Sequence, residues 1–139
     1  MNFFADRNLA RTLIKMLDVY DQDHTLVRLD DDIRFNPRST DIEIIKALSS
    51  QTPRPVLLTA DLYRVPAERK ALKESYLTVV FFRSGFHEQD FHTQAVKVLS
   101  IWPEIVQQVT RCKEPTIFEI KPVAKKVDRF CKTVDLPSA

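Results

Sequence analysis

The fold is decided by a short stretch near the start of the chain, which reads NFFADRNL at residues 2–9. Its apolar first half is typical of a buried strand, and a helical pattern follows within a few residues. Apolar side chains then recur at steps of three and four residues, which makes one face of that helix apolar. These side chains are Leu9, Leu13, Leu17 and Tyr20. A strand followed this closely by a helix predicts the opening of a βαβ unit.

The length and composition predict one domain without a membrane-spanning segment. At 139 residues, of which 44% are apolar, the chain can bury a core of its own. No apolar run approaches the roughly 20 residues that a membrane span needs, and the first residues lack the pattern of a secretory signal. Cys112 and Cys131 are far apart in the sequence, and neither has the spacing to another Cys or His residue that is typical of a zinc site. Two such reduced thiols are typical of a cytoplasmic protein.

Charge and glycine content exclude several functional classes. The formal net charge of +2 is too small to indicate a nucleic-acid binder by itself. The single glycine, Gly85, excludes a Walker loop and a dinucleotide-binding fingerprint, because both need several glycines.

Strand and helix patterns alternate along the rest of the chain, which predicts an α/β fold with a mainly parallel sheet. Further strands are predicted near 24–29, 55–60, 77–82 and 116–120, the last of them at an edge of the sheet. Helices are predicted from Thr40 to about Ser49, from Pro66, and from Asp90 to about Cys112 with a kink or restart at Pro103. Residues 1–121 are predicted to form the domain, and the basic remainder, 122–139, to be a C-terminal tail that frays.

Two of the predicted strands end in an aspartate. Asp6 follows the first strand, and Asp61 follows the strand at 55–60. The carboxyl ends of parallel strands meet at one edge of a sheet, where α/β proteins place their ligands. If the two strands are neighbours, both carboxylates project into one crevice, since adjacent backbones lie about 4.8 Å apart. A simpler interpretation remains open for Asp6, because aspartate is also a favoured N-cap of a following helix.

A third acid, Asp41, falls in the first turn of the second predicted helix. Thr40 and Glu43 have the spacing of a capping box, which gives Glu43 a structural role and leaves Asp41 for the site. Three converging carboxylates repel each other and favour a bound cation. Oxygen ligands without Cys or His select Mg²⁺ or Mn²⁺, ions that activate water in phosphodiester hydrolysis. The alternative is three unrelated surface aspartates.

Several short motifs, taken in order, resemble the PIN-like ribonuclease domains of the VapC toxin kind. They are FADRNL at 4–9, TDIE at 40–43, VLLTAD at 56–61, PAER at 66–69, TVVFF at 78–82, and the helix that contains Trp102 and Pro103. The resemblance covers roughly residues 2–121 and implies a compact three-layer α/β/α domain with a mainly parallel central sheet. It also implies an endoribonuclease that uses Mg²⁺ or Mn²⁺ to hydrolyse RNA phosphodiester bonds, as the toxin of a toxin–antitoxin pair.

The resemblance assigns roles to individual residues and suggests partners. It implies that Asp6, Asp41 and Asp61 are the catalytic, metal-binding acids, with Asn8 and Thr59 as supporting polar groups. The implied partners are RNA, an antitoxin protein and a second copy of the chain in a homodimer, all in the cytoplasm. Two basic residues that closely follow Asp61 are candidates for phosphate contacts in the same groove. They are Arg64 and Arg69.

Two departures from the family pattern leave other functions open. Relatives often carry an acid directly after the first aspartate, where this chain has Arg7, and many carry a further aspartate where residues 62–64 read LYR. Glu88 and Asp90 are candidates for a fourth acid. One alternative is an inactive PIN-like module that binds RNA or a protein partner through the same groove. A phosphoryl-transfer domain with Asp6 as nucleophile is less well supported, because no second acid follows it.

Overall fold

A computed structural model of the chain describes residues 1–60, 65–83, 85–86 and 88–120, together with the backbone of 128–132. The strands in these residues are β1 (Asn2–Ala5), β2 (Thr25–Arg28), β3 (Val56–Thr59), β4 (Val79–Phe82), β5 (Thr116–Ile120) and β6 (Asp128–Lys132). The helices are α1 (Arg11–Tyr20), α2 (Asp41–Ser49), α3 (Pro66–Ser75) and α4 (Phe91–Arg111), with a 3₁₀ turn at Leu29–Asp31. The predicted α/β alternation is confirmed.

All these strands join one sheet in the order β2-β1-β3-β4-β5-β6. Neighbouring strands from β2 to β5 are parallel, and β6 runs antiparallel to β5. The predicted mainly parallel sheet is therefore confirmed. The prediction that 116–120 is an edge strand is wrong, because β6 pairs along β5 and covers that edge.

The strand β6 lies within the segment predicted to be a tail. Its backbone pairs with β5 from Thr116 to Glu119, whereas 121–127 and 133–139 lie outside the described residues. The division into a domain at 1–121 and a tail at 122–139 stays a prediction.

Each face of the sheet carries its own apolar core, because side chains alternate between the two faces along a strand. Phe3 and Ala5 of β1 belong to the core formed with α1 and α4, whereas Phe4 belongs to the core formed with α2 and α3. Burial on both faces explains why β3 and β4 consist almost entirely of apolar residues. The two helical layers confirm the predicted three-layer α/β/α architecture.

The helix α4 is the longest in the described residues. It continues through Pro103, so the predicted restart does not occur. Trp102, which is 2% exposed, lies on the core side of α4 and contacts the Phe3 ring at a centroid distance of 4.9 Å. Neither α4 nor any other helix in the described part of the chain is long and apolar enough to cross a membrane.

Candidate functional site

The strand order places a crevice at the carboxyl end of β1. The sheet extends from β1 in two directions, toward β2 on one side and toward β3, β4 and β5 on the other. In open α/β sheets, ligands bind in the crevice that forms at such a reversal. Asp6 directly follows β1, and its backbone N–H donates to the Leu58 carbonyl of β3 at 2.9 Å. Asp6 therefore lies where β1 and β3 meet.

The Asp6 carboxylate is buried and held from two sides. The residue is only 6% exposed, which is unusual for a carboxylate. Its Oδ1 accepts from the Arg7 backbone N–H at 2.7 Å, and its Oδ2 accepts from the Thr59 hydroxyl at 3.3 Å. Asn8 extends the network, since its Nδ2 donates to Thr59 Oγ1 at 3.3 Å and its Oδ1 accepts from the Ala60 N–H at 2.9 Å. The structure thus brings Asn8 and Thr59 together with Asp6.

The hypothesis that Asp6 is the N-cap of α1 is wrong. The helix begins at Arg11, its N-cap is Ala10, and no side chain caps it. The Asp6 carboxylate instead accepts from Arg7, directly next to it in the chain, before the helix begins. The burial of Asp6 therefore needs another explanation than helix capping.

The first turn of α2 contains the predicted capping box. Thr40 is the N-cap, its Oγ1 accepts from the Glu43 N–H at 3.2 Å, and Glu43 Oε2 accepts from the Thr40 N–H at 3.1 Å. The capping box is confirmed, so Glu43 has a structural role. Asp41 is the first residue of the helix and is half-buried.

Arg7 ties the start of α2 to the end of β1. Its guanidinium donates to the Pro37 carbonyl at 3.1 Å and to the Ser39 carbonyl at 3.2 Å. Ser39 lies two residues before Asp41, so these bonds hold the N-terminus of α2 at the edge of the sheet where Asp6 lies. Arg7, which stands where similar domains often have an acid, therefore has a structural role.

Arg28 is a residue of this region that the sequence analysis missed. It ends β2, and its side chain is 12% exposed. It donates from Nε to the Leu9 carbonyl at 2.9 Å and from Nη2 to the Arg7 carbonyl at 2.8 Å, and it also pairs with Asp30. These bonds fix the loop that carries Asp6. A charged residue at the end of an otherwise apolar strand was the available signal.

Comparison with protein families identifies the fold. A sequence model of the PIN-like domain matches residues 1–84, which is more than half of the chain. The chain belongs to the PIN-like domain family. The match spans β1 to β4 and includes the positions of Asp6, Asp41 and Asp61. Searches of curated proteins and of solved structures found no match to the chain.

PIN-like domains are generally nucleases and typically use divalent metals. The polar groups around Asp6 include a ligand that suits such an ion. Asp6 supplies a carboxylate, and Thr59 and Asn8 supply a hydroxyl and an amide beside it. The carboxylate is a hard oxygen donor of the kind that Mg²⁺ and Mn²⁺ prefer, and none of these three groups is a thiolate or an imidazole.

The predicted set of three acids stays a prediction. Asp61 and Arg64 lie outside the described residues. Within the described ranges, which do not include Asp61, no group of three or more His, Cys, Asp and Glu residues could hold a metal ion. Arg69 lies in the first turn of α3, the next element after β3 in the chain, and is half-buried.

The two candidates for a fourth acid differ in their surroundings. Asp90 is the N-cap of α4, and its Oδ1 accepts from the Thr93 N–H at 2.7 Å. The hydrogen bonds from Thr93 lower the pKa of Asp90 below its ordinary value. Capping accounts for Asp90 in this PIN-like domain. Glu88 is exposed.

Proposed function

We propose that this PIN-like domain is a Mg²⁺- or Mn²⁺-dependent endoribonuclease of the VapC toxin kind. The observation that carries the proposal is the buried Asp6 carboxylate at the crevice between β1 and β3, held by Thr59 and by the Arg7 backbone. A carboxylate withdrawn from water and fixed at a ligand-binding edge has a cost that a bound cation offsets. Membership of a family that is generally nucleolytic supports the same function.

In the proposed reaction, the chain positions one phosphodiester of the RNA beside Asp6. Asp6, Asp41 and Asp61 would hold the metal, which supplies activation of the attacking water and stabilisation of the leaving oxygen. Thr59 and Asn8 orient the Asp6 carboxylate through their hydrogen bonds. Arg64 and Arg69 are proposed to hold phosphates of the RNA backbone on either side of the cut.

The toxin role adds two protein partners to the proposal. A small antitoxin protein would cover the crevice and inhibit the enzyme. A second copy of the chain would form a homodimer with the first. The enzyme would act on RNA in the cytoplasm. A gene for a small DNA-binding or acidic-tailed protein next to the gene of this chain would support the toxin role.

A second candidate function is an inactive PIN-like module that binds RNA or a protein through the same crevice. It is favoured by Arg7, a basic residue directly after Asp6 in the sequence, where relatives often have an acid. A guanidinium there weakens the attraction of the crevice for a cation and strengthens its attraction for phosphate.

Cleavage of single-stranded RNA with Mn²⁺ separates the two functions. We expect the parent chain to cleave, and Asp6→Asn and Asp61→Asn to abolish cleavage while circular dichroism shows an intact fold. Glu74→Gln is the matched control, because Glu74 is an exposed acid near the far end of α3. Undiminished cleavage by folded Asp6→Asn would remove the metal-site assignment, and RNA binding without cleavage by the parent would favour the inactive module.

A further inference from the structure

A pocket of about 360 Å³ is lined in part by Arg7, the residue that directly follows Asp6. Its volume lies within the range of small-ligand sites. It is lined by Arg7, Leu29, Asp30, Phe35, Asn36 and Pro37. The Arg7 backbone N–H donates to Asp6 Oδ1 at 2.7 Å, so Arg7 both lines the pocket and contacts the carboxylate at which cleavage is proposed. We call it the Arg7 pocket.

The Arg7 pocket has a fixed apolar wall. Leu29 is 1% exposed and belongs to the core between the sheet and α2. The Phe35 ring packs edge-on against Phe4 at a centroid distance of 5.6 Å, and the Arg34 guanidinium carbon lies 5.2 Å from the Phe35 centroid. Because both contacts restrain the ring, the face that Arg34 does not cover can pack against a ligand at little conformational cost.

The polar groups of the pocket include donors and an acceptor. The Arg7 guanidinium donates to two backbone carbonyls and forms no ion pair with a described carboxylate. Asn36 Oδ1 accepts from the Arg38 N–H at 2.8 Å, whereas Asn36 Nδ2 makes no hydrogen bond to a described residue. The Asp30 carboxylate, which pairs with Arg28 and Arg11, supplies acceptor oxygens.

This combination suits a nucleobase better than a phosphate. A phosphate would be attracted by Arg7 but repelled by the Asp30 carboxylate in the same pocket. A base has flat apolar faces and an edge that carries donors and acceptors, and proteins recognise single-stranded RNA by packing against those faces and bonding to that edge. The pocket offers a partner for each of these features.

We propose that the Arg7 pocket binds one base of the RNA next to the scissile phosphate and thereby sets a sequence preference. The base packs against Phe35, and its edge accepts from Asn36 Nδ2 and donates to Asp30. The positive charge of Arg7 faces the phosphate that links this nucleotide to the cut. The proposal rests on the proposed ribonuclease function and names the part of the substrate that selects the cleavage position.

Two variants test the pocket without touching the proposed metal ligands. Asn36→Asp keeps an oxygen that accepts from the Arg38 N–H, removes the Nδ2 donor and adds a negative charge, so its effect is measured on base preference and not on overall affinity. Phe35→Leu keeps an apolar side chain against Phe4 and removes the flat ring. Arg38→Ala is the control, because Arg38 is an exposed neighbour that does not line the pocket.

The first measurement is cleavage of a randomised single-stranded RNA pool with Mn²⁺, followed by sequencing of the cut ends. We expect the parent to favour one base at one position beside the cut, and each pocket variant to weaken that preference by about tenfold. Arg38→Ala is expected to keep it. Two outcomes would overturn the proposal: the parent cleaves without any base preference, or both pocket variants keep the preference of the parent. In either case the ribonuclease function would stand.

The second measurement does not depend on cleavage. Titration of the metal-free chain with AMP, GMP, CMP and UMP, followed by NMR, is expected to shift signals of the pocket residues, with different affinities for the four bases. Asn36→Asp is expected to reduce these differences. If the chain never cleaves RNA but discriminates bases in this way, the ribonuclease function fails and the base subsite stands. Equal binding of inorganic phosphate and all four nucleotides, or binding lost equally in Arg38→Ala, would contradict the base subsite.

Discussion

At the scale of single residues, the hydroxyl of Thr59 determines how the Asp6 carboxylate is held. It donates to Asp6 Oδ2 and accepts from Asn8, and Thr59 is only 1% exposed. Thr59→Val keeps the shape of the side chain but removes both bonds. Because such outer partners orient metal ligands, we expect cleavage at limiting Mn²⁺ to fall by about 10- to 100-fold. We also expect the free energy of unfolding, measured in urea, to fall by about 1 kcal/mol.

Thr59→Ser is the matched control for this prediction. It restores the hydroxyl in a smaller side chain, so cleavage is expected to return to near the parent level although some packing is lost. If Thr59→Val keeps cleavage and Thr59→Ser loses it, packing of Thr59 rather than its hydrogen bonds supports the site.

At the scale of elements, the capping box of α2 predicts different outcomes for neighbouring acids. Glu43 Oε2 bonds to the N-cap backbone, so Glu43→Ala is expected to cost about 1 kcal/mol of stability and to keep most of the cleavage activity. Asp41→Asn is expected to keep the stability and to lose the activity. Urea unfolding and RNA cleavage measure the two effects side by side.

Thr40→Ala provides a check on the capping interpretation. It removes the other half of the box, the bond from the Glu43 N–H to Thr40 Oγ1, and is expected to destabilise by a similar amount. A folded Glu43→Ala chain that cannot cleave would instead assign Glu43 to the site.

A buried carboxylate links the turn between α1 and β2 to α4 by a hydrogen bond. Asp21, whose side chain is 8% exposed, accepts from Trp102 Nε1 at 2.9 Å and contacts His24 Nδ1 at 2.9 Å. Burial alone would raise the pKa of Asp21, but the hydrogen bonds from Trp102 and His24 outweigh it and lower that pKa below its ordinary value.

This lowered pKa predicts a pH dependence of stability. A carboxyl group with a depressed folded-state pKa contributes stability that is complete above its unfolded-state pKa of about 3.9 and is lost as pH falls through the folded-state value. We therefore expect part of the acid destabilisation below about pH 4 to come from Asp21. Asp21→Asn should lower stability at pH 7 and flatten the curve at acid pH, as followed by Trp102 fluorescence.

The exposed Asp23→Asn provides the comparison for Asp21→Asn. It leaves the buried carboxylate in place, so its stability curve is expected to follow that of the parent. An equal flattening in both variants would mean that general charge, and not the contact with Trp102, causes the effect.

At the scale of the whole molecule, the sequence predicts the layered architecture better than the contacts that join its elements. The apolar runs of β3 and β4 indicate strands buried on both faces. The pairing of β3 with β1 brings Thr59 beside Asp6. The strand β6 has no comparable local pattern, because it depends on pairing with β5. Arg28 was missed for a related reason: its partners include backbone carbonyls, which every residue carries and which leave no mark in the sequence.

Binding of a divalent ion links the site to the stability of the whole domain. An ion that binds only the folded chain stabilises it by RT ln(1 + [L]/Kd), which is about 2.7 kcal/mol at a hundredfold excess over Kd. We therefore expect the melting temperature to rise in millimolar Mn²⁺, as measured by calorimetry. If the three acids cluster as proposed, Asp6→Asn should reduce that rise and, by relieving their repulsion, leave the metal-free chain at least as stable as its parent. Three unrelated surface aspartates predict neither effect. A melting temperature indifferent to Mn²⁺, together with a less stable Asp6→Asn chain, would assign the buried carboxylate a purely structural role and favour the inactive module.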